Sequence, residues 1–356
     1  MFANLPTFSK SGFKAQKRTS LTGKTQLALI AIAVAGTFAT TLQCPVLAKS
    51  TSDLASWNDG PTKESIVQFV KSVTDKKSAD FVEQEKRIAV FDNDGTLWCE
   101  QPIYPQVEFI IGCAKEYAEK HPEVQEDPLF KAAVQGDMAT LAKAGPRGSQ
   151  TLVNTTHNGM PVEQFSGVVT KWLSEHKHPR FNEAYTSCVY KPMLELLAYL
   201  KKNGFTNYIV SGGGTEFMRP WTEKVYDVPP EHVIGSTCKL SFSNADGKPV
   251  IKRTTEIDFL CDSERKPIAI EKIIGRRPIA AFGNSNGDMQ MLQWTTAGSG
   301  KRFGLIVHHT DAEREYAYDR DSKVGRLDKA LDEATKQHWT VVDMKNDWKQ
   351  IFSFQK

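Results

Sequence analysis

Acidic residues are missing from the first 48 positions of this 356-residue chain, which nevertheless contain five basic residues (Lys10, Lys14, Lys17, Arg18 and Lys24). The remainder carries 40 basic and 42 acidic residues, so it is almost neutral. A neutral chain lacks the basic surface with which proteins bind the phosphates of nucleic acids. We therefore expect no nucleic-acid partner.

Cysteine is scarce and irregularly spaced. No two cysteines form a C-x-x-C pair, which leaves a zinc site of that kind without support. None is followed six positions later by arginine, which excludes the arrangement used by cysteine-dependent phosphatases. Five cysteines lie beyond residue 48, and an odd, irregular set favours buried or partly paired structural cysteines over a catalytic one.

A long hydrophobic run is also absent. The uncharged apolar stretch at 27–42 has 16 residues, one glycine and three threonines among them, whereas a membrane-spanning helix needs about 20 apolar residues. It follows the basic segment and precedes Val46-Leu47-Ala48, a sequence typical of signal-peptidase cleavage sites. We interpret 1–48 as a cleavable signal peptide and expect a periplasmic or secreted protein without stable membrane association. An uncleaved membrane anchor is the alternative.

Three short apolar runs predict strands buried on both faces of a parallel sheet. They lie at 87–91, 207–210 and 278–282, and each ends in a polar cluster that contains glycine. Segments with helical patterns separate them, as in βαβ units. The sequence therefore predicts an α/β fold with a doubly wound, Rossmann-like parallel sheet. Ligands bind at the carboxyl ends of the strands in such sheets, so the three clusters should meet in one crevice.

The spacing of the clusters predicts two insertions into this core. About 115 residues separate the first two clusters, far more than one crossover connection needs, and they contain three helical patterns. A shorter insertion at 239–259 alternates apolar and polar residues around a turn, which predicts a small β-hairpin flap. The predicted organisation is a signal peptide at 1–48, a linker and helix at 49–84, a core at 85–99 and 186–356, and a mainly helical cap at 100–185.

Two features follow the third cluster. Thr310-Asp311-Ala312-Glu313 matches a capping box and predicts the start of a helix. His308 and His309 precede it at the end of a predicted strand, where we expect them to orient a loop rather than to bind a metal.

The first cluster, Asp92-Asn93-Asp94-Gly95-Thr96, places two carboxylates at a strand end. Side chains at i and i+2 of a strand face the same side, so one carboxylate can attack a substrate while the other donates and accepts protons. Attack of Asp92 on phosphorus would give an aspartyl-phosphate. Asp94 would protonate the leaving oxygen and then activate water. Two carboxylates repel a phosphoryl group unless a cation intervenes, and Mg²⁺, which prefers oxygen ligands, is the expected cofactor.

The other clusters offer groups that bind phosphate. Ser211 and the N–H groups of the glycines after it, beginning with Gly212, can bind phosphoryl oxygens where side chains would crowd them. Lys266, at the start of a predicted helix, can supply a fixed positive charge. Lys272 in the same helix is the competing candidate, but it lies only 11 residues before Gly283.

Four segments in this order resemble the four motifs of haloacid-dehalogenase-like phosphatases: Asp92 to Thr96, Ser211 to Gly213, Lys266-Pro267 and Gly283 to Asp288. The position of the cap and the Ser-Gly-Gly motif are most similar to the phosphoserine-phosphatase-like branch. The resemblance implies that Asp92 is the nucleophile and Asp94 the general acid and base. It also implies that Thr96 orders the motif loop and belongs to the phosphate site with Ser211, Gly212 and Lys266.

The same resemblance implies a metal site formed by Asp92, Asp94 through its backbone carbonyl, Asn284 and Asp288. Asn284 departs from the family, which usually has an acidic residue there. An amide oxygen still binds a hard cation but brings one negative charge fewer, and the sequence leaves open whether Asn284 or Asp288 is the direct ligand. Glu100 stands one residue before the position of a substrate-recognising glutamate in related enzymes, which implies a recognition role. A packing role is its alternative.

The sequence therefore predicts an exported, Mg²⁺-dependent phosphomonoesterase with a small phosphorylated substrate, phosphoserine or a similar ester. A phosphotransferase of the same fold is one alternative, in which the phosphoryl group passes to an acceptor other than water. A non-catalytic protein that binds a phosphorylated ligand is the other, and Asn284 is the feature that favours it.

Overall fold

A computed structural model describes residues 53–244 and 247–355 of the chain. The predicted signal peptide therefore lies outside the described residues. The helices of the described part are α1 (Pro61–Thr74), α2 (Pro105–Lys120), α3 (Pro128–Gln135), α4 (Met138–Thr156), α5 (Val162–Glu175), α6 (Lys191–Lys202), α7 (Thr215–Tyr226), α8 (Arg265–Ile274), α9 (Met289–Thr296), α10 (Lys329–Gln337) and α11 (Met344–Asp347). Its strands are β1 (Ile88–Phe91), β2 (Thr206–Gly214), β3 (Val233–Ser243), β4 (Val250–Phe259), β5 (Ala280–Gly283), β6 (Phe303–Thr310), β7 (Ala317–Tyr318) and β8 (Thr340–Asp343).

The strands form one mainly parallel sheet. Its parallel part has the order β3-β2-β1-β5-β6-β8, so the first strand lies in the middle and the chain winds outward in both directions. Strand β4 extends one edge antiparallel to β3, and β7 pairs antiparallel with the end of β6. The predicted doubly wound α/β fold is confirmed.

The middle of the sheet is built from apolar residues that are buried on both faces. All four residues of β1 and all four of β5 are buried. Phe91 and Phe282 pair in register, and their rings stack with centroids 4.2 Å apart. A stacked aromatic pair adds about 0.5–1.5 kcal/mol to the free energy gained by burial alone. These two strands therefore provide a rigid base for the loops that follow them.

The carboxyl ends of β1, β2 and β5 lie side by side. Phe91 pairs with Ile209 of β2 and with Phe282 of β5. The next residue, Asp92, donates its backbone N–H to the Phe282 carbonyl oxygen over 2.9 Å. The polar clusters after the three strands therefore meet at one edge of the sheet, as the sequence predicts.

Helices α2, α3, α4 and α5 lie in the segment that the sequence assigns to the cap. The pattern at 128–143 predicts a single helix, but Gly136 adopts the left-handed conformation and ends α3 there. Asp137 then caps α4 by accepting hydrogen bonds from the N–H groups of Ala139 and Thr140. The cap contacts the core where α5 packs against α7 and α4 packs against β4. The division into core and cap at residues 100 and 185 stays a prediction.

The predicted hairpin flap is present as β3 and β4. Its first strand begins inside the main sheet, because Val233 and Ile234 pair in parallel with β2 before β3 continues into the hairpin. Arg253 of β4 is buried and forms an ion pair with Glu216 of α7. Its guanidinium carbon lies 4.0 Å from the centroid of the Phe165 ring in the cap. The flap is thus an extension of the sheet that is packed against the cap.

The predicted helix after Thr310 is wrong. Asp311 accepts hydrogen bonds from the N–H groups of Glu313 and Arg314, but the helical conformation ends in that turn. The Arg314 guanidinium donates to the carbonyl oxygens of Met344, Lys345, Trp348 and Lys349. These contacts hold the chain against its C-terminal segment, and it continues into β7 instead.

The cap contains a histidine whose protonation opposes folding. His157 is 5% exposed, and its ring lies 4.9 Å from that of Phe165. Burial, with a smaller contribution from the charge of Arg253, lowers the pKa of His157 to about 4. Because the unfolded chain takes up a proton near pH 6.5, the free energy of unfolding should fall by up to about 3 kcal/mol as the pH decreases from 6.5 to 4.

We expect urea unfolding to show this loss in the wild-type protein and to show much less of it in His157→Gln, compared at pH 7 and pH 4. His121→Gln, at a partly exposed histidine of the same cap, is the control and should keep the wild-type difference. An equal pH dependence in His157→Gln and the wild type would contradict the assignment.

Candidate active site

The structure brings together every residue that the sequence predicts for the site. Direct contacts link six of them in one chain: Asp92, Lys266, Asp288, Asn284, Thr96 and Glu100. Ser211, which precedes Gly212, bonds to Asp94, and the charge of Asp94 acts on Asp92. Most of these side chains are buried, whereas Asp94 is half-buried.

Lys266 occupies the centre of the site. Its Nζ donates to Oδ1 of Asp92 and to Oδ1 of Asp288, each over 2.6 Å. Burial alone would lower the pKa of Lys266, but the charges of Asp288 and Asp92 outweigh it and raise that pKa well above its ordinary value. Lys272 lies elsewhere, with its Nζ 5.1 Å from the centroid of the Phe259 ring. Of the two candidate lysines, the structure therefore places Lys266 in the site.

Burial dominates the protonation of the two aspartates after β1. Together with the charge of Asp288, it raises the pKa of Asp92 well above the ordinary value, although Lys266 opposes the shift. Burial also raises the pKa of Asp94, against hydrogen bonds that favour its ionised form. Trp98 Nε1 donates to Oδ1 of Asp94 over 2.9 Å, and Ser211 Oγ donates to Oδ2 over 3.4 Å. A carboxyl group with a raised pKa is better suited to give and take a proton than one with the ordinary value.

Asp288 holds the loop after β5. Its Oδ2 accepts hydrogen bonds from the N–H groups of Asn284 and Ser285 and from the Ser285 hydroxyl, over 3.0, 3.0 and 3.2 Å. Gly283 is required beside it, because an added Cβ would overlap the Asp288 side chain. Since its other oxygen accepts from Lys266, Asp288 has a bonded partner at each oxygen.

Gln106, at the start of α2, covers the glycine segment at the end of β2. Its Oε1 accepts the Gly214 N–H over 2.7 Å, and the Gly213 N–H donates to Ser211 Oγ over 3.0 Å. An added Cβ at Gly213 would come within 2.9 Å of Gln106 Oε1. The cap therefore reaches the segment that the sequence predicts to bind phosphate.

Asn284 connects the first and fourth motif segments. Its Oδ1 accepts from the Thr96 hydroxyl over 3.1 Å, and its Nδ2 donates to Glu100 Oε1 over 2.8 Å. Tyr318 OH donates to the same Glu100 oxygen over 2.8 Å. Burial raises the pKa of Glu100 well above its ordinary value, the bond from Tyr318 opposes the shift, and the charges of Asp94 and Asp92 add to it.

A second layer supports the loop at Gly95. His309 Nε2 lies 2.8 Å from the Gly95 carbonyl oxygen, which can only accept, so this nitrogen carries a hydrogen. His309 Nδ1 lies 3.2 Å from Oε2 of Glu315, whose Oε1 accepts from the Tyr190 hydroxyl. Both residues are buried. His309 thus orients a loop, as the sequence predicts, whereas His308 Nε2 lies 3.3 Å from Oδ2 of Asp319.

The residues present fit a hard divalent cation. The carboxyl groups of Asp92, Asp94, Asp288 and Glu100 lie close enough to affect one another's pKa, and among the described residues one ammonium group, that of Lys266, bonds to two of them, so acidic groups outnumber basic ones. Oxygen donors of this kind suit Mg²⁺. Within 53–244 and 247–355, no three His, Cys, Asp or Glu side chains form a ready metal-binding cluster.

Sequence reasoning missed several residues around the site: Gln106, Asp262, Tyr318 and Glu315. Asp262 is half-buried at the edge of the site, where an added Cβ at Gly287 would come within 2.8 Å of its Oδ1. A small signal for Asp262 exists, since it lies four residues before Lys266. Tyr318 and Glu315 come from segments far along the chain, and nothing in the local sequence of Gln106 indicates its contact with Gly214.

Comparisons with known proteins support these motif segments. A family model described as haloacid dehalogenase-like hydrolase matches residues 89–293, a range that contains all four segments. No curated protein matches the sequence.

Three similar solved structures illustrate how distant the relatives are. A conserved protein of unknown function from Anaerococcus prevotii DSM 20548 has 14% identity and a TM-score of 0.52, with 80% of this chain and 91% of that chain covered. A protein of unknown function from Bordetella pertussis Tohama I has 14% identity and a TM-score of 0.45, covering 73% and 99%. A phosphoserine phosphohydrolase-like protein from Francisella tularensis subsp. tularensis SCHU S4 has 19% identity and a TM-score of 0.35, covering 62% and 87%.

At these identities the first of the three similarities supports the fold, and the family model carries the assignment. It spans more than half of the chain, and the residues that it contains meet at the carboxyl edge of a doubly wound sheet. The chain therefore belongs to the haloacid dehalogenase-like hydrolase family.

Proposed function

We propose that this protein is a Mg²⁺-dependent phosphomonoesterase that works through an aspartyl-phosphate on Asp92. The observation that carries the proposal is the position of Lys266, whose Nζ holds Oδ1 of Asp92 over 2.6 Å. The second carboxyl group, Asp94, lies at the same strand end. A fixed cation beside a nucleophilic carboxylate, with an acid next to it, is what transfer of a phosphoryl group requires.

In the first step, Oδ2 of Asp92 attacks the phosphorus atom, because Oδ1 is engaged by Lys266. A bond forms between Oδ2 and phosphorus while the bond between phosphorus and the ester oxygen breaks. The leaving oxygen takes the proton of Asp94, whose pKa is raised by burial, and departs as an alcohol.

In the second step, the ionised Asp94 removes a proton from water, and the resulting oxygen attacks the phosphorus of the aspartyl-phosphate. The bond to Asp92 breaks, so inorganic phosphate leaves and both carboxyl groups regain their starting state. Trp98 and Ser211 keep the Asp94 side chain in place through both steps by their hydrogen bonds to it.

Bound Mg²⁺ would offset the negative charge that the substrate brings to the carboxylates. Asp92, the backbone carbonyl of Asp94 and Oδ1 of Asn284 would hold it. Asp288 would fix Lys266 and the loop after β5 through the hydrogen bonds that its oxygens accept. Ser211, the N–H of Gly212 and Lys266 would bind the phosphoryl oxygens, and Thr96 would order the loop beside them.

A small phosphate ester suits the site better than a macromolecule. The reacting residues are largely buried, and Gln106 of the cap contacts Gly214 above them. Asp262 at the edge of the site would favour a substrate that carries an amino group, such as phosphoserine. We propose no nucleic-acid partner for this protein.

We also propose that the protein acts in the periplasm or outside the cell, after removal of residues 1–48. This part of the proposal rests on the basic segment, the short apolar stretch and the cleavage sequence. Separately, the described helices include none with the length and apolarity that crossing a bilayer requires.

Phosphate release by the protein from Lys49 onward tests the function. We expect release from a panel of small phosphomonoesters with Mg²⁺ and none with EDTA. Asp92→Asn should lower kcat by about a thousandfold or more, because an amide oxygen is a poor nucleophile. Asp59→Asn removes the same charge at an exposed position and should leave kcat unchanged.

The alternatives give different results in that assay. Binding of phosphomonoesters without turnover, unaltered in Asp92→Asn, would replace the proposal with a non-catalytic binding protein. Phosphate transfer to added alcohols in preference to water would indicate a phosphotransferase. Release that persists in Asp92→Asn would refute the aspartyl-phosphate mechanism.

A matched pair of lysine substitutions tests the role of the central ammonium group. Lys266→Met keeps most of the side-chain volume but removes the charge between Asp92 and Asp288, so we expect kcat/KM to fall by at least about a hundredfold. Lys272→Met on the same helix should change kcat/KM less than about threefold. Equal effects of the two substitutions, in variants with the wild-type circular dichroism spectrum, would contradict the role given to Lys266.

A further inference from the structure

Basic residues collect at the amino ends of the central strands, on the opposite edge of the sheet from the active site. Three neighbouring parallel strands, β1, β5 and β6, each have two adjacent basic residues just before they begin. These pairs are Lys86-Arg87, Arg276-Arg277 and Lys301-Arg302. The backbone N–H of Ile279 donates to the Ile88 carbonyl oxygen, and that of Phe303 donates to the Ile279 carbonyl oxygen, so the three strand entries lie side by side.

A pocket of about 580 Å³ opens at this edge of the sheet. Its lining includes five basic residues, two acidic residues and an apolar wall: Lys86, Arg276, Arg277, Lys301 and Arg302, then Asp80 and Glu83, then Phe81, Val82 and Ile279. We call it the basic pocket, because positive charge is in excess there although the chain beyond residue 48 has 40 basic and 42 acidic residues. Pockets of about 300–1,000 Å³ are typical of sites for small molecules.

The chain does not neutralise the basic pocket. Within 53–244 and 247–355, none of the charged side chains that line it forms an ion pair. In contrast, Lys201 and Lys202, the basic pair before β2 on the same edge, pair with Asp227 and Asp53. Residues 1–52 contain no acidic residue, so that segment has no negative side chain to offer.

Two guanidinium groups of the basic pocket keep donors available for a ligand. Arg302 is fixed by bonds from Nε to the Ser299 carbonyl oxygen over 2.9 Å and from Nη1 to the Pro278 carbonyl oxygen over 2.8 Å. Neither Nη2 of Arg302 nor the guanidinium of Arg277, which lies 4.9 Å from the Trp294 ring centroid, has a hydrogen-bond acceptor among the described residues. Burial and the charge of Arg277 both lower the pKa of Arg302, so the two cations are close enough to repel each other. An anion between them would replace this repulsion with attraction to both.

We propose that the basic pocket is a second ligand site, which binds a small soluble anion with several phosphate groups. Guanidinium groups match phosphate oxygens in pairs, and several phosphates can reach cations that come from three strand entries. The apolar wall would contact an organic part of such a ligand. The site lies at the amino ends of strands whose carboxyl ends carry the reacting carboxylates, so this inference does not depend on the proposed function.

Calorimetric titration with tripolyphosphate tests the site in the chain from Lys49 onward. Metal-free buffer prevents metal-bridged binding at the active site, and an ionic strength of about 0.15 M screens non-specific attraction. We expect one ligand per chain, and a dissociation constant that rises about a hundredfold in Arg277→Gln with Arg302→Gln, since each charged hydrogen bond contributes about tenfold or more. Lys201→Gln with Lys202→Gln removes two charges that already have carboxylate partners on the same edge. This control should change the constant less than about threefold.

Two further variants complete the design. Lys86→Gln with Lys301→Gln changes two exposed lysines of the basic pocket and decides the matter if the arginine variant does not fold. We expect its dissociation constant to rise about tenfold, because ammonium groups bind phosphate as point charges. Lys266→Met, in the active site, should keep the dissociation constant for tripolyphosphate within about threefold of the wild-type value.

Four results of the titration would overturn the inference. These are no binding of tripolyphosphate by the wild type, an unchanged dissociation constant in both variants of the basic pocket, an equal rise in the control at Lys201 and Lys202, and loss of binding in Lys266→Met. Sedimentation with phosphatidylglycerol vesicles distinguishes a soluble ligand from a lipid headgroup. Vesicle binding that tripolyphosphate does not displace, and that the arginine variant loses, would replace the proposal with contact to a membrane surface.

Discussion

A buried ammonium group between two carboxylates is the interaction on which the arrangement of the site depends. Lys266 at the start of α8 bonds to Asp92 after β1 and to Asp288 after β5, so one side chain ties three segments together. Removing one partner of a buried ion pair typically costs about 3–5 kcal/mol, since the remaining charge loses its compensation. The same bonds matter for the proposed mechanism, because they engage Oδ1 of Asp92 and leave Oδ2 for the substrate.

This arrangement requires loops that hold their positions, and the fold supplies two supports. The first support is the stacked pair Phe91 and Phe282, which holds the ends of β1 and β5 in register beneath the loops of the site. The second support is His309, near the C-terminal end of β6, which contacts the Gly95 carbonyl oxygen. Glu315, in the turn after β6, contacts the other ring nitrogen of His309. A misplacement of one ångström can cost a catalyst about a hundredfold in rate, so such supports contribute to function without touching a substrate.

The sequence predicts most of the core and the reacting residues because the information is local. Each motif directly follows an apolar run or begins a helix, and the parallel sheet then brings the strand ends together. In contrast, Gln106 and Gly214 are 108 positions apart in the chain, and no local sequence pattern predicts their contact. The helix predicted after Thr310 does not form, and the cause is again a contact between distant residues: Arg314 donates hydrogen bonds to the carbonyl oxygens of Trp348 and Lys349. Capping residues indicate where a helix can begin, but tertiary contacts decide whether it continues.

The loss of one acid in the fourth motif does not by itself favour a protein that merely binds a phosphorylated ligand. A site selected to bind phosphate would gain from cations and N–H groups and would lose from nearby carboxylates. Here Asp92 and Asp288 contact the ammonium group of Lys266, and Asp94 lies at the same strand end, which is a poor environment for a dianion unless a metal ion joins them. In the proposed reaction, Asp92 forms the bond to phosphorus and Asp94 moves the proton. The excess of carboxyl groups therefore supports the proposed catalysis with a divalent cation, in which Asn284 would change the strength of the metal site and not its role.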